Sequence, residues 1–407
     1  LDAEPGGCRT PLEVFLAVVR CFGCRGSHVI KMRRSSLPCQ PTLLQSARFS
    51  GERKAMTKKN IVHVVGTGTI GEPLIGLFTD FKEKWGIDEV TFHKRTPKGD
   101  DRAMVEHLIN HGAKLVVDED AREEFTRLGH RVSFTTEQAL DRSTVVVDCT
   151  PAGNDNKGKY YDRCNGPKGF LAQGSEFGFG KPYARGINEE VQSPAERFVQ
   201  IVSCNTHNIS VLLKTIATRE GKVDLAAGRF VCMRRANDVS DNKGFVAAPE
   251  AGKHDDPEFG THHARDAYHL FQTVGEKLNL FSSAIKINTQ YMHTLWFDLD
   301  LKHDTTLEQV KSLLRSNPRV ACTNKRSVNQ IFSFGRDHGY FGRILNQTVM
   351  PMSTLTVPNP RKVVGFCYTP QDGNSLLSSI AATLRFLDVS KLEENLDVLR
   401  PYIFREI

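Results

Sequence analysis

A thiol, an amide, a hydroxyl and an imidazole stand side by side at Cys204-Asn205-Thr206-His207. The apolar run 198–202 before them predicts a buried strand. After them, Ile209, Leu212, Leu213 and Ile216 fall on one face of a helix. Asn205 or Thr206 is the expected cap of that helix. Cys204 is thus expected at a strand-to-helix turn, where the positive end of the helix dipole lowers a thiol's pKa and makes it a nucleophile. The competing reading is a small buried apolar cysteine, the ordinary fate of a free thiol.

A second group of residues handles phosphate. Gly66-Thr67-Gly68-Thr69-Ile70-Gly71 follows an apolar strand at 61–65 and opens a helical stripe of Ile70, Leu74, Leu77, Phe78 and Phe81. This is G-x-G-x-x-G in its working context, with glycines that let backbone approach a pyrophosphate and a helix start that offers free amides. A tight turn in some other α/β protein is the alternative. A strand at 89–92 leads to His93-Lys94-Arg95-Thr96, where a ribose-binding acid would otherwise stand. Lys94 and Arg95 suit a 2′-phosphate, so NADP is expected over NAD. A solvated basic loop diluted by Asp100 and Asp101 is the other reading. Helices at 104–111 and 121–128 alternate with strands at 114–117, 131–134 and 145–148, which predicts a parallel sheet of the Rossmann kind. The turn at Thr150, Pro151 and Gly153, and a later one at Gly174-Ser175, are expected to touch cofactor at the strands' carboxyl ends.

The remaining chain must bring substrate to the thiol. A strand at 229–233 leads to Arg234-Arg235-Ala236-Asn237-Asp238. A long polar loop is then expected to run to Gly260-Thr261-His262-His263 and on to Asp266. Loops of that length in a compact domain are usually functional. His262 and His263 beside arginines suit an anionic group; zinc is the rival, but no tight ligand pairing supports it, and no metal is expected. Strands at 283–288 and 291–301, a helix at 307–314 and a strand near Val320 predict an α+β unit. Its sheet is expected to be mostly antiparallel with helices on one face and a subunit contact on the other. His293 lies on the second of those strands, and a cysteine paired with a histidine is what thiol catalysis requires. A strand at 363–368 and a turn at 369–374 precede a helix at 375–386. That helix is expected to return to the dinucleotide-binding sheet, which would put Gln371 near the nicotinamide.

Composition limits the alternatives. The 407 residues allow two or three domains, and 39% hydrophobic with 25% charged residues is an ordinary globular mixture. No apolar run approaches the ~20 residues of a membrane span. The net charge of +7 sits partly in the first 55 residues, and no zinc-finger spacing or aromatic-rich basic stripe points to nucleic acid. Ten scattered cysteines without framework spacing indicate reduced thiols inside a cell. Residues 1–55 are rich in Arg and Ser. They read either as an organelle transit peptide or as a translated extension ahead of Met56, and are expected to be disordered. The chain is divided accordingly into the extension 1–55, a dinucleotide-binding domain 56–202, a catalytic domain 203–368 and a C-terminal segment 369–407. The location is cytoplasmic, or a mitochondrion or plastid if the first segment is a transit peptide.

Taken together, these motifs resemble one family. Ser203-Cys204-Asn205-Thr206, the Gly66–Gly71 turn, Arg234-Arg235-Ala236 with Asp238, His262-His263, Met292-His293-Thr294-Leu295 and Gly335-Arg336-Asp337 occur in one chain. The set resembles the archaeal-type (type II) glyceraldehyde-3-phosphate dehydrogenases, over roughly residues 59–387. The resemblance implies oxidation of an aldehyde to an acyl phosphate with NAD(P) and inorganic phosphate, by a homotetramer. It implies Cys204 as nucleophile, with Ser203 and Asn205 flanking it at the substrate. It also implies Thr69, Ile70, Gly174, Ser175, Arg235 and Gln371 at the cofactor, and His262 and His263 at the substrate. His293 is the expected base and His263 the reserve. Three departures stand out. The family's Cys-Asn-Thr-Thr-Gly is here followed only as far as Thr206, with His207 and Asn208 next; Ser175 replaces a glycine; and Val239 replaces a proline after Asp238. A related acyl-phosphate or semialdehyde dehydrogenase and a non-catalytic dinucleotide-binding paralogue are the alternatives.

Overall fold

The glycine turn follows β1 (Ile61–Val65), a strand buried at every position because it lies inside a sheet covered on both faces. The computed structural model describes residues 59–193, 195–239 and 244–407; the calls made for 1–55 lie outside them. α1 (Gly71–Asp80) buries Leu74, Ile75, Leu77 and Phe78. Strands and helices then alternate, β2 (Glu89–His93), α2 (Arg102–Asn110), β3 (Lys114–Val117), α3 (Arg122–Arg127), β4 (Val132–Thr135) and β5 (Val145–Asp148) as the sequence pattern predicts, with two helices it did not mark, α4 (Thr136–Arg142) before β5 and α5 (Gly153–Lys159) after it. β6 (Gly169–Gln173), β7 (Lys181–Tyr183) and β8 (Phe198–Ile201) complete an all-parallel sheet in the order β4-β3-β2-β1-β5-β6-β8-β7. Short crossovers return each strand to the same direction, which is what places all the phosphate-binding turns at one edge.

α6 (Cys204–Ile216) leaves the end of β8 and enters a second core, where Ile209, Leu212, Leu213 and Ile216 are buried as their spacing predicts. A small hairpin of β9 (Thr218–Arg219) and β10 (Lys222–Val223) follows. β11 (Leu225–Arg234) runs longer than the expected 229–233: buried and half-exposed residues alternate from Gly228, and strand pairing continues past an irregularity between Leu225 and Ala227. β12 (Glu250–Ala251) interrupts the predicted loop. His262 and His263 do not lie in a loop but open α7 (His262–Gln272), which buries Ala264, Ala267, Leu270 and Phe271.

The second sheet takes β13 (Leu280–Lys286), β14 (His293–Leu301), β15 (Val320–Thr323), β16 (Thr348–Pro351), β17 (Thr356–Asn359) and β18 (Lys362–Thr369). Its order is β12-β13-β11-β14-β18-β16-β15, with β17 on β18. β11 with β13 and β15 with β16 are parallel; the other pairs are antiparallel. α8 (Leu307–Ser316) starts in a capping box at Thr306 and Gln309. α9 (Val328–His338) has no counterpart in the pattern read above, since only Ile331 and Gly335 of it are buried. α10 (Leu376–Asp388) does return to the first sheet: Leu376, Ile380, Ala381 and Leu384 share one core with Val62, Val145 and Leu171. α11 (Leu392–Leu396) continues against it. Among the described residues no helix is long and apolar enough to cross a membrane.

Candidate active site

Cys204 is the first residue of α6, and the cap is Ser203, not Asn205 or Thr206. Ser203 has extended backbone (φ −65°, ψ 163°), and its Oγ accepts from the Thr206 amide at 3.4 Å and lies 2.8 Å from Thr206 Oγ1. A cap must lie one residue outside the helix, and the helix begins at the thiol itself. Thr206 is fully buried, so its hydroxyl serves the cap. Cys204 is half-buried, and its carbonyl accepts from Asn374 Nδ2 at 2.8 Å. Burial pushes the thiol up to about 11; the Arg235 charge, the Asn205 amide and the Arg234 charge pull the other way. The helix start alone therefore does not lower the thiol's pKa in the free protein, contrary to the expectation from the dipole.

Two histidines of different origin lie beside this helix start. His293 begins β14 and stands opposite Thr369 of β18. Its Nδ1 accepts from the Arg235 backbone amide at 2.9 Å. His263 Nε2 lies 3.4 Å from Asn205 Nδ2. Burial, then nearby positive charge, holds both well below the ordinary histidine pKa, so both are neutral. Thr369 Oγ1 joins the two sides: it donates to Asn205 Oδ1 at 3.2 Å and accepts from Asn208 Nδ2 at 2.7 Å.

The glycine turn lines a cavity of about 990 Å³. Gly66 has φ +93°, and a Cβ at Gly71 would lie 2.0 Å from the Gly66 carbonyl oxygen, so neither position admits a side chain without opening the turn. Ile70 precedes α1 without any side-chain cap; the Glu72 amide donates to the Gly68 carbonyl at 3.0 Å and Pro73 has no amide proton, so an anion here would meet the turn and the Gly71 amide. A dinucleotide's pyrophosphate fits these features. Lys94, Arg95, Thr150 and Pro151 line the same cavity. Lys94 is also paired with Asp101 at 2.6 Å. Asp148 fixes the Thr150 turn by accepting from the Thr150 amide at 2.8 Å and from Tyr161 at 2.7 Å.

Arg235 connects this cavity to the thiol's surroundings. Its buried guanidinium donates to Asp372 at 2.8 Å and to Asp238 at 2.6 Å. Asp372 lines the larger cavity, and Asp238 accepts from Thr69 Oγ1 of the glycine turn at 3.1 Å. A smaller cavity of about 450 Å³ is lined by Ser175, Arg234, Lys253, His262, His263 and Arg265, and also by Asp255 and Asp256. Arg234, Lys253 and Arg265 outnumber the two carboxylates by one and can meet a phosphorylated ligand.

Most of the residues named from the sequence fall into these two cavities or the contacts between them. Gly174 (φ +81°) makes the turn that carries Ser175 into the smaller cavity. Gln371 lies outside both linings, with its Oε1 buried and unpartnered, and its neighbour Asp372 reaches the larger cavity instead. Asp372, Thr369 and Asn374 were not singled out by sequence reasoning. The signal was the Thr-Pro-Gln-Asp-Gly-Asn turn, which closes strand β18 beside the thiol.

No model of a known protein family matches the chain. Among curated proteins it is similar to glyceraldehyde-3-phosphate dehydrogenase 1 of Methanosarcina barkeri, 28% identical over 287 residues that cover 69% of this chain and 79% of that protein. Glyceraldehyde-3-phosphate dehydrogenase 2 of the same organism is 29% identical over 292 residues, covering 70% and 80%. Glyceraldehyde-3-phosphate dehydrogenase of Metallosphaera sedula is 28% identical over 233 residues, covering 56% and 66%.

Proposed function

We infer that this chain, a divergent relative of the archaeal-type glyceraldehyde-3-phosphate dehydrogenases, is an NAD(P)-dependent phosphorylating aldehyde dehydrogenase acting on glyceraldehyde 3-phosphate. The observation that carries this reading is the contact path from Thr69 through Asp238 and Arg235 to His293, beside the helix that begins with Cys204. Such a path serves a thiol that works next to a bound dinucleotide. When bound, an oxidised nicotinamide supplies the hydride acceptor. The chain supplies the rest. Cys204 attacks the aldehyde carbon and holds the acyl group as a thioester. Asn205 and the amides at the start of α6 face the oxygen that becomes negative. Arg234, His262 and His263 hold the substrate's phosphate or the incoming inorganic phosphate by charge-assisted hydrogen bonds. Lys94 and Arg95 favour NADP. Ser175 lines the smaller cavity, and Asp372 in place of Gln371 reaches the larger one.

A second reading has a specific observation behind it. The resemblance implies a threonine where His207 stands, and His207 is fully buried and bonded away from both cavities. That favours a related acyl-phosphate dehydrogenase with another aldehyde. An NADP-coupled assay with inorganic phosphate, run on glyceraldehyde 3-phosphate and a panel of semialdehydes, separates the two. Turnover of glyceraldehyde 3-phosphate that is lost in Cys204→Ser supports the first. Absence of turnover on every aldehyde, with cofactor still bound, would reduce the chain to a dinucleotide-binding protein.

The outer face of the second sheet supports assembly as a homotetramer. Val231, Trp296 and Phe366 stand in register across three strands, and Phe366 is 39% exposed. Light scattering measures the assembly size directly. The described cysteines are free thiols, which suits a reducing compartment such as the cytoplasm.

A further inference from the structure

We propose that Arg343 is a cofactor-binding residue, whose guanidinium donates to the pyrophosphate of the dinucleotide and serves NAD and NADP alike. The inference deepens the dinucleotide reading of the larger cavity and rests on it.

Arg343 belongs to a turn between α9 and β16, far along the chain from the glycine fingerprint. Phe341, Gly342 and Arg343 nevertheless line the same cavity as Gly66, Gly68 and Thr69. The guanidinium touches the glycine turn itself, since Nη2 donates to the Thr69 carbonyl at 3.4 Å. Its other contacts are weak partners for a full charge. Nη1 donates to the carbonyl of Phe341. Nη2 lies 3.9 Å from Glu72 Oε2, too far for a hydrogen bond. Nε is buried without a partner. A guanidinium has five N–H donors and cannot give up its charge inside a protein. Here that charge meets two neutral carbonyls and a distant carboxylate, beside a turn whose shape admits an anion.

Other cations of the same lining are differently committed. Lys94 is paired with Asp101 at 2.6 Å, and Arg336 with Asp337 at 2.7 Å. Arg95 is exposed beyond the end of β2.

The turn that carries Arg343 is held firmly. The Tyr340 amide donates to the Arg343 carbonyl at 3.0 Å, and the Arg343 amide to the Tyr340 carbonyl at 2.8 Å. Both residues between them are left-handed, Phe341 at φ +48° and Gly342 at φ +76°. Asn-Gly is the pair that suits such a turn, and a phenylalanine in the first place is strained. Packing offsets the strain. The Phe341 ring lies 5.6 Å from His107, 6.1 Å from His111 and 4.9 Å from Tyr340. Tyr340 Oη donates to Asp80, the last residue of α1, at 2.6 Å. Against α1 the fit requires Gly76, where a Cβ would lie 2.9 Å from Phe341 Cζ and from Tyr340 Oη. A strained residue that its surroundings hold in place is a mark of functional placement. What this one places is the next cation along the chain, against the glycine turn.

Glu72 shows why a cation is needed there. It is an acid in the first turn of α1 and lines the cavity, so its charge opposes any anion at the glycine turn. Arg343 offsets that charge at long range and keeps donors free for the ligand.

Calorimetric titration with NADH and with NADPH tests this without turnover. Arg343→Gln should weaken both equally, by about ten- to a hundredfold, the worth of a hydrogen bond to a charged group. Added salt should weaken binding more in the wild type than in Arg343→Gln. The loss should persist when Glu72→Gln is the parent, since the arginine binds ligand as well as balancing the acid. Arg343→Lys keeps the charge without the fork and should lose affinity severalfold; it decides the matter if the glutamine variant does not fold. Unchanged affinity in either arginine variant would overturn the proposal. So would a loss confined to NADPH, which would put Arg343 at the 2′-phosphate, or a loss that vanishes in the Glu72→Gln parent, which would leave it a counter-charge only. A wild-type protein that binds neither cofactor would defeat the dinucleotide reading itself, and this proposal with it.

Discussion

His207 Nε2 accepts a hydrogen bond from Ser378 Oγ at 2.8 Å, and this bond joins the helix that begins with Cys204 to the helix that packs on the dinucleotide-binding sheet. The same hydroxyl accepts from the Arg185 amide at 2.9 Å, and His207 Nδ1 donates to the Ser203 carbonyl at 3.1 Å. The imidazole is thus used on both nitrogens inside the protein. Ser378→Ala removes the donor and leaves a buried acceptor unpaired. We expect a loss of about 1–3 kcal/mol. The urea midpoint measures it, and an unchanged midpoint would show that the bond adds nothing.

Acid should weaken the fold in a defined window. Burial lowers His207 from 6.5 to about 4. The unfolded chain therefore binds this proton first as the pH falls, and stability declines between about pH 6.5 and pH 4, then levels off. At about 1.4 kcal/mol per pH unit, the loss from this group approaches roughly 3 kcal/mol. His63, also buried and lowered to about 3, acts in the same direction. Unfolding midpoints across this range should show the decline. His207→Leu should flatten part of it.

The free thiol should be sluggish. With Cys204 pushed up to about 11, roughly a thousandth or less of it is thiolate at pH 8. Alkylation by iodoacetamide should be slow at neutral pH and rise steeply with alkali. Arg234→Gln removes a charge that favours the thiolate and should slow alkylation further at any given pH. Rapid alkylation at pH 7 in the free protein would contradict the burial argument.

Two substitutions at the cofactor cavity should separate backbone from side-chain recognition. Gly71→Ala places a methyl group against the Gly66 carbonyl and should abolish binding of NAD and NADP together. Arg95→Gln should weaken NADP by about ten- to a hundredfold, the worth of one charge-assisted hydrogen bond, and leave NAD unchanged. Fluorescence titration with each reduced cofactor measures both. Equal losses for the two cofactors in Arg95→Gln would remove the argument for NADP.

Much of this was open to local reading. Period and punctuation are short-range properties. The apolar run at Ile61–Val65, the helical stripe of Gly71–Asp80, the glycine turn between them and the strand-to-helix passage at Cys204 therefore appear directly in the order of residues. Helix starts are less legible, because a cap is a one-residue choice and Ser203, Asn205 and Thr206 all have suitable side chains. α9 escaped notice because it buries little of its own surface.

What the tertiary structure decided is the meeting of distant groups. Cys204, the Arg235 amide, His293, Thr369 and Asp372 come from separate elements, and nothing in their spacing foretells that a backbone amide donates to a histidine ring or that a turn aspartate pairs with a buried arginine. The residue types that do chemistry were visible in the chain alone. Their protonation was not, because pKa and tautomer depend on burial and on partners brought together by packing rather than by sequence.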